Sequence, residues 1–249
     1  MAQEQPAPAC GGDTIARGVV KRVIDGRTFT LDDGREVRLA AVEVPPPESS
    51  QGATAKAALD ALVGGDDIVV RRADIETDRY GRLVAYAYAV RDGDELFAQG
   101  ELIASGFARV GDHVGARNCA LELLNSENAA RAAKLGLWAD SHYDVLDAEA
   151  PTDVLARRGR FALVEGKVVS VRESGATIYV NFGRRWSEDF TVTVLKRNER
   201  NFTAAGLDLK GLAGRRIRVR GYIEARGGTG QSPWIEADYP EQIETADAR

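Results

Sequence analysis

Short β-branched segments separated by Asp-Gly turns constrain the fold of this chain more than any other feature of its sequence. In residues 16–42, three such segments follow one another, with turns at residues 25–26 and 32–34. An Asp-Gly pair between apolar segments favours a tight hairpin, so the pattern predicts a meander of short antiparallel strands. The three prolines at positions 45–47 lack amide donors and end this meander.

Helical spacing of apolar residues follows the prolines. It predicts helices over residues 51–63, 96–104 and 117–135, and two strands over residues 68–70 and 84–90 separate the first two helices. In the longest helix the pattern predicts one core-facing stripe, formed by Leu121, Leu124, Ala129, Ala132 and Leu135.

Strands return towards the end of the chain. Five strand segments are predicted, over residues 164–171, 177–182, 190–195, 217–223 and 234–236. A polar stretch lies between the third segment and the fourth. Five strands with an insertion at that point match the strand count of an OB-fold barrel.

Charge is distributed unevenly along the chain, although the net charge is only −5. Residues 157–249 contain 17 basic and 12 acidic residues and carry +5, whereas residues 1–156 contain 16 basic and 26 acidic residues and carry −10. Such asymmetry indicates two modules with different partners, of which only the second attracts polyanions. We therefore predict an N-terminal tail over residues 1–15, a first domain over 16–140, a linker over 141–158 and a second domain over 159–249.

Composition excludes several classes of protein. No apolar run approaches the ~20 residues that span a bilayer, so no membrane span is predicted. Two cysteines cannot form a disulfide-dense scaffold, and no Cys/His cluster has zinc-finger spacing.

The N-terminal residues leave two alternatives for the cellular compartment. Residues 1–10 have neither a basic segment nor an apolar stretch, so no signal peptide is recognised there. They fit a tail on a cytoplasmic protein, or the start of a mature periplasmic or secreted chain whose signal peptide has been removed. The second alternative is favoured because Cys10 and Cys119 form an even pair, which we expect to be bridged in an oxidising compartment.

Five segments of the first domain match, in order, the motifs of a known family. They are residues 23–28, 37–45, 78–86, 102–110 and 127–138, and the most specific begins Asp78-Arg79-Tyr80-Gly81-Arg82. Over about residues 16–138 the chain resembles the staphylococcal nuclease (thermonuclease) family. The resemblance implies a five-stranded OB-fold barrel with three helices, and metal-dependent hydrolysis of phosphodiester bonds. With the strand count of the second half, it predicts a mainly β protein with α-helices, built from two OB-fold-like five-stranded barrels in tandem.

The resemblance assigns roles to several residues. Arg38 and Arg82 align with the two arginines that bind phosphate in the family, and Tyr80 aligns with its loop tyrosine. Asp25 is retained from the acidic metal-binding set, and Glu43 replaces a second metal-binding aspartate. Guanidinium groups and a cation are needed because the transition state carries additional negative charge. Arg38, Arg82 and Glu43 are therefore interpreted as a vestigial catalytic set.

Two departures from the family pattern affect the chemistry. Arg27 stands where the family has its principal calcium-binding aspartate, and Pro46 stands where it has the proposed general base. At an effective dielectric of about 20, a unit charge 4 Å away contributes ~4 kcal/mol, so a guanidinium there opposes a divalent cation. Proline cannot activate water. The sequence therefore predicts no metal and no cofactor, and a site that is inactive or very weakly active.

Two other interpretations of these residues remain open. Arg38 and Arg82 would pair with Glu43 and Asp25 if they formed a purely structural ion-pair network. Alternatively, Asp25, Glu43 and Glu48 would form a rearranged carboxylate set that binds calcium and supports hydrolysis.

The second domain combines aromatic and basic residues near its predicted strands. Arg216, Arg218 and Arg220 alternate along one strand, which places three guanidinium groups on one face. Aromatic rings for base stacking and cations for phosphates are what single-strand binding requires. We therefore predict that single-stranded DNA or RNA binds these three arginines together with Tyr179, Phe182, Arg184, Arg185 and Trp186. The alternative is that the aromatic residues fill the barrel and the arginines form a solvated face.

Three functions are consistent with the sequence. The leading interpretation is a nuclease-family protein with a degenerate catalytic site, which binds nucleic acid or a protein partner through tandem OB-folds. The second is an active metal-dependent DNA or RNA endonuclease. The third is an envelope protein-interaction module that binds no nucleic acid; the acidic first half favours this function and the basic second half opposes it.

Overall fold

A computed structural model describes residues 10–226 and 232–246 of the chain. The protein is mainly β with several α-helices, as the sequence predicts. It divides into two compact units, Met1–Ser141 and His142–Arg249. Positions 1–9 of the predicted tail lie outside the described residues. Within the described ranges, every helix is too short or too polar to cross a bilayer.

The strands of the first unit form one large sheet and one small sheet. They are β1 (Thr14–Asp25), β2 (Thr28–Leu31), β3 (Glu36–Leu39), β4 (Val42–Glu43), β5 (Asp67–Thr77), β6 (Leu83–Arg91), β7 (Asp94–Phe97) and β8 (Arg109–Val110). The large sheet has the order β3-β2-β1-β5-β6-β7, and β4 pairs with β8. In addition, β3 pairs in parallel with β6. The strands β1, β2, β3, β6 and β5 therefore form a closed circuit, in which each strand pairs with the next and β5 pairs with β1.

Three α-helices complete the first unit. They are α1 (Ser50–Val63), α2 (Ala98–Ala104) and α3 (Arg117–Ala132), followed by a 3-10 helix at Gly136–Ala139. Ser49 caps α1 because its hydroxyl accepts a hydrogen bond from the amide of Gly52 at 2.9 Å. The predicted second helix begins later than expected, since Leu96 and Phe97 belong to β7.

The predicted core-facing stripe of α3 is right at Leu124, which is buried, and wrong at its other four positions, which are exposed. Leu121 and Leu135 are 50% and 43% exposed, and the helix buries a neighbouring face that consists of Cys119, Ala120, Leu123, Leu124, Glu127 and Ala130. The pattern of apolar residues missed this face because it includes a carboxylate. Glu127 is fully buried and accepts a hydrogen bond from the amide of Val110 at 2.7 Å.

A disulfide joins the beginning of the described chain to α3. The sulfur atoms of Cys10 and Cys119 are bonded, with their Cα atoms 4.7 Å apart, and both residues are buried. The hydroxyl of Tyr88 donates a hydrogen bond to the carbonyl of Cys10 at 2.6 Å. The segment before β1 is therefore attached to the first unit by covalent and polar contacts.

The strands of the second unit form two sheets. They are β9 (Leu146–Asp147), β10 (Phe161–Lys167), β11 (Ser170–Ser174), β12 (Thr177–Asn181), β13 (Thr191–Leu195), β14 (Arg216–Tyr222), β15 (Glu224–Ala225), β16 (Pro233–Glu236) and β17 (Ile243–Thr245). One sheet has the order β17-β14-β10-β9, and the other β11-β12-β13-β16-β15. The strand predicted over residues 164–171 is divided between the two sheets, so the second closed barrel stays a prediction.

The segment predicted as a linker carries structure that belongs to the second unit. Leu146 pairs with Val164 in a parallel ladder between β9 and β10. The short helix α4 (Pro151–Leu155) buries Val154 completely. The other α-helix of the unit is α5 (Glu199–Ala204). Short 3-10 helices lie at Lys196–Asn198, Lys210–Leu212 and Pro240–Gln242, and a further one, Ser141–Tyr143, begins at the last residue of the first unit.

Candidate functional sites

Short strands of the first unit bring the predicted phosphate-binding and metal-binding positions together. Arg27 lies in the turn between β1 and β2, and Glu43 ends β4. Arg38 lies on β3, opposite Thr28 of β2 and Val84 of β6. Arg38 therefore lies on the strand that connects β2 with β6 in the circuit of five strands.

Arg27 and Glu43 form an ion pair with little exposure to solvent. The Nη1 atom of Arg27 lies 2.6 Å from Oε2 of Glu43 and 3.3 Å from the carbonyl oxygen of Val42. The carboxylate of Asp25 accepts a hydrogen bond from the amide of Arg27 at 2.8 Å, which fixes the turn that carries the arginine. Glu43 and Asp25, the two acidic residues predicted at the metal site, thus both accept a hydrogen bond from Arg27.

Arg38 differs from its neighbours because it is half-buried and makes no hydrogen bond or ion pair with any described residue. Burial lowers its pKa, and the positive charges of Arg27 and Arg82 lower it further, while Glu43 and Asp25 oppose this shift. A guanidinium surrounded by other guanidinium groups and lacking a partner is a favourable position for an anion.

The loop between β5 and β6 positions Arg82 and Tyr80. Asp78 accepts hydrogen bonds from the amides of Tyr80 and Arg82 at 2.9 and 3.1 Å, and from Nε of Arg82 at 2.7 Å. Although partial burial opposes the change, these hydrogen bonds lower the pKa of Asp78. Tyr80 remains 67% exposed, with the guanidinium carbons of Arg79 and Arg82 at 4.8 and 5.1 Å from its ring centroid.

The ion-pair network expected between Arg38, Arg82, Glu43 and Asp25 is replaced by two other pairs. Glu43 binds Arg27, and Arg82 binds Asp78 at 2.6 Å. Since neither pair includes Arg38, its guanidinium keeps its donors available.

Pro46 and Glu48 have different surroundings from the other candidates. The carbonyl oxygen of Pro46 accepts hydrogen bonds from the amide and hydroxyl of Ser49, at 3.0 and 2.7 Å, and so takes part in the turn before α1. Glu48 is exposed, and the carboxylates that act on Arg38 are Glu43 and Asp25. No group of three or more His, Cys, Asp or Glu residues suited to a metal occurs in the described ranges.

In the second unit, two residues predicted to bind nucleic acid are inaccessible. Phe182 is 4% exposed and packs in the core against Phe190, with ring centroids 5.1 Å apart. The side chain of Arg220 is fully buried and pairs with Glu244 at 2.5 Å. These two predictions are wrong because both side chains are buried: Phe182 belongs to the core, and Arg220 is enclosed although it alternates along β14 with the more exposed Arg216 and Arg218.

The other arginines of β14 already have carboxylate partners. Arg216 and Arg218 both pair with Glu165, at 2.8 and 2.6 Å. Burial opposes the effect, but the hydrogen bonds from Arg216 and Arg218 lower the pKa of Glu165. The alternating arginines do lie along one strand, but the guanidinium groups of Arg216 and Arg218 are held by the shared carboxylate of Glu165.

The remaining predicted residues lie near a groove on the five-stranded sheet of the second unit. Tyr179, Arg184 and Trp186 line this groove, whose volume is about 810 Å³. Arg185 is exposed and pairs with Glu188 at 2.7 Å. The groove also includes Arg172 on β11 and Arg226, which follows β15. Sequence reasoning missed them because neither lies in the aromatic and basic segment over residues 179–186.

Comparisons with known proteins find relatives of the first unit. The family model for staphylococcal nuclease homologues matches residues 36–140. Protein ParB of Escherichia coli is 34% identical over 134 residues, which cover 51% of this chain and 74% of that protein. Micrococcal nuclease of Shigella flexneri is 30% identical over 132 residues, covering 50% of this chain and 74% of that protein. The range matched by the family model contains Arg38, Glu43, Tyr80 and Arg82, and it ends before the second unit.

Proposed function

This chain belongs to the staphylococcal nuclease family, and from that premise we propose that its first unit binds the phosphates of nucleic acid without calcium-dependent hydrolysis. The ion pair between Arg27 and Glu43 carries the proposal. By resemblance, these residues stand at two metal-binding positions of the family. The guanidinium of Arg27 therefore places a covalently attached cation where the family's chemistry needs a divalent metal ion.

These residues do not fit a calcium ion. A calcium site needs several oxygen ligands with negative charge. Glu43 is already neutralised by Arg27, and the guanidinium of Arg27 would repel a divalent ion placed beside Glu43. At ~4 kcal/mol for each unit of charge at 4 Å, in an effective dielectric of about 20, this repulsion cancels the attraction of one carboxylate. Asp25 then remains as a single uncompensated carboxylate, which is too few oxygen ligands for calcium.

Phosphate fits the same residues better. Arg38 offers a half-buried guanidinium without a partner among the described residues, and Arg27 and Arg82 add positive charge around it. A phosphate would accept hydrogen bonds from the planar fork of Arg38 and would relieve the repulsion among the three arginines. Exposed Tyr80, beside Arg82, adds a surface on which a neighbouring base can stack.

Hydrolysis would also need a group that activates water. Pro46 has no such group, and its carbonyl is occupied by Ser49. Loss of a general base alone costs roughly 10²–10⁴-fold in rate. Bound phosphodiester would therefore be retained rather than cleaved.

The fold proposed for both units suits oligonucleotides. We infer that the circuit of β1, β2, β3, β6 and β5 is an OB-type barrel. We infer the same architecture for the second unit, since its chain passes between the two sheets from β10 to β11 and from β14 to β15, and β13 pairs in parallel with β16. OB-folds use such sheets to bind oligonucleotides.

The disulfide favours a compartment for this function. Disulfides persist in the periplasm and outside cells and are rare in the cytosol. The buried bond between Cys10 and Cys119 supports a periplasmic or secreted location over a cytoplasmic one.

Incubation of the purified full chain with plasmid and with single-stranded DNA tests the proposal. Calcium, magnesium, manganese or EDTA is added in separate reactions. We expect no cleavage above background in any of them, and binding that Arg38→Ala weakens. The paired variant Arg27→Asp with Pro46→Glu should gain calcium binding in calorimetry, whereas Pro46→Glu alone should not, because Arg27 remains.

The rearranged carboxylate set makes the opposite prediction. Robust cleavage that EDTA stops and Arg38→Ala abolishes would establish an active phosphodiesterase and overturn the proposal. Absence of both cleavage and DNA binding by the first unit's arginines would instead support an interaction module for a protein partner.

A further inference from the structure

One face of the second unit's five-stranded sheet carries an aromatic and basic groove. Arg172 on β11 is the direct neighbour of Tyr179 on β12. The side chains on the opposite face, among them Ile178, Val180 and Val192, are fully buried in the core. Strand alternation therefore assigns Tyr179 to the outer face.

A tight loop after β12 presents Trp186 to solvent. The carboxylate of Asp189 accepts a hydrogen bond from the amide of Arg185 at 2.7 Å, and the carbonyl of Arg185 accepts hydrogen bonds from Glu188 and Asp189. Trp186 lies within this loop and is 72% exposed. So large an exposed apolar ring is unusual for a side chain whose only role is packing.

Arg226 connects two further aromatic rings. Its guanidinium carbon lies 5.2 Å from the ring centroid of Tyr179 and 5.7 Å from that of Trp234. Cation–π contacts at these distances stabilise the orientation of a ring. Tyr179 is thus held in place at the floor of the groove, while Trp186 stands at its edge.

The charge of the groove is positive. Arg172, Arg184 and Arg226 line it, and none of them pairs with a carboxylate in the described part of the chain. The acidic lining residue, Glu173, is neutralised by Lys196 and Lys210, each at 2.8 Å. The hydrogen bond from Lys196, followed by that from Lys210, lowers the pKa of Glu173 to about 2.

We propose that this groove binds single-stranded nucleic acid, with unpaired bases stacked on Trp186 and Tyr179 and phosphates paired with Arg172 and Arg184. The combination of the exposed ring of Trp186, the half-buried ring of Tyr179 and guanidinium groups without a carboxylate partner in the described ranges matches the two chemistries of a single strand. Two other ligands fit the groove less well. The bases of a duplex are stacked on one another and cannot stack on Trp186, and an acidic peptide would contact the arginines but not the aromatic rings. The groove lies outside the range that the family model matches, and it does not depend on the phosphate site around Arg38.

Fluorescence anisotropy with a labelled oligothymidylate tests the proposal on the full chain. The measurements are made in an Arg38→Ala background, which removes the contribution of the first unit. Trp186→Ala should lower the affinity about 5- to 150-fold, the effect of losing one stacked base. Trp186→Phe should restore most of it, because it restores a ring.

Salt dependence separates the cations from the rings. The logarithm of the affinity should fall linearly with the logarithm of salt concentration, by roughly 0.7 for each phosphate contacted. Arg172→Ala and Arg184→Ala should each reduce this slope by about that amount, whereas Trp186→Ala should leave it unchanged. Arg216→Ala is the matched control: it removes the same charge from an arginine that does not line the groove and whose guanidinium is held by Glu165, so the slope should stay the same.

Three results would overturn the proposal. The first is equal affinity for a duplex of the same length. The second is an equal loss in Arg172→Ala and Arg216→Ala, which would indicate unspecific attraction. The third is an affinity that Trp186→Ala leaves unchanged while an acidic peptide displaces the oligonucleotide, which would assign the groove to a protein partner.

Discussion

The arginines of the two units look alike in the sequence and have different surroundings in the structure. In the first unit, Arg38 has no partner among the described residues, and the charges of Arg27 and Arg82 act on it. On β14 of the second unit, Arg216 and Arg218 share one carboxylate and the next arginine along the strand is buried against another. An arginine binds phosphate only when its donors are available, so the partner of each guanidinium decides its role.

The same comparison explains why charge counts mislead. Residues 157–249 carry +5, yet the alternating arginines of β14 have few free donors, because Glu165 and Glu244 accept hydrogen bonds from all three. Residues 1–156 carry −10, yet they contain the cluster around Arg38. Local pairing, rather than the net charge of a domain, determines where an anion can bind.

The largest effect is expected from breaking the buried pair of β14. Glu244→Ala removes the carboxylate that lies 2.5 Å from the fully buried guanidinium of Arg220. Removing one member of a buried ion pair costs about 3–5 kcal/mol, because a buried charge loses a compensating one. Chemical denaturation followed by tryptophan fluorescence measures the loss of the free energy of unfolding.

Arg216→Ala is the control for that measurement. Arg216 is 49% exposed, so its ion pair with Glu165 contributes only about 0–1 kcal/mol. If Glu244→Ala were no more destabilising than Arg216→Ala, the distinction between buried and exposed arginines on this strand would be wrong.

Much of the fold could be predicted from the sequence, because turns and strand patterns are local. Four of the five strand segments predicted in the second half form, the first is divided between β10 and β11, and the resemblance identifies the family. The partners of the arginines could not be predicted, since Glu165 lies 51 residues from Arg216 and Glu244 lies 24 residues from Arg220. An ion pair between strands that are far apart in sequence depends on the register of the strands and on the burial of the side chains. The pattern of apolar residues along one strand determines neither.

The second prediction tests whether Arg38 is kept for binding rather than for stability. Arg38→Met removes a half-buried cation that lies in the field of two others, so the free energy of unfolding without phosphate should rise by on the order of 1 kcal/mol. Added phosphate should stabilise the native chain, by about 2.7 kcal/mol at 100 times the dissociation constant, and should leave the variant unchanged. Thermal unfolding with and without phosphate measures both effects, with Arg38→Lys as the variant that keeps the charge but loses the fork. A destabilised Arg38→Met that still responds to phosphate would show that this arginine is structural.

The smallest effect is the pH dependence of the two ion pairs that Glu165 forms with arginines of β14. The hydrogen bonds from Arg216 and Arg218 outweigh partial burial and hold the pKa of Glu165 below its ordinary value of 4.5. A carboxyl group with a lowered pKa in the folded state binds fewer protons than in the unfolded state, so its stabilising contribution is present above about pH 4.5. It is lost as the pH falls through the folded pKa, when Glu165 is protonated and both arginines lose their partner.

Glu165→Gln removes this titration, so the difference in unfolding free energy between native chain and variant should be about 1 kcal/mol or less at pH 7 and should shrink below pH 4.5. A difference that stays constant down to pH 3 would mean that the charge of Glu165 does not stabilise β14, and that its arginines are held by packing of their aliphatic stems instead.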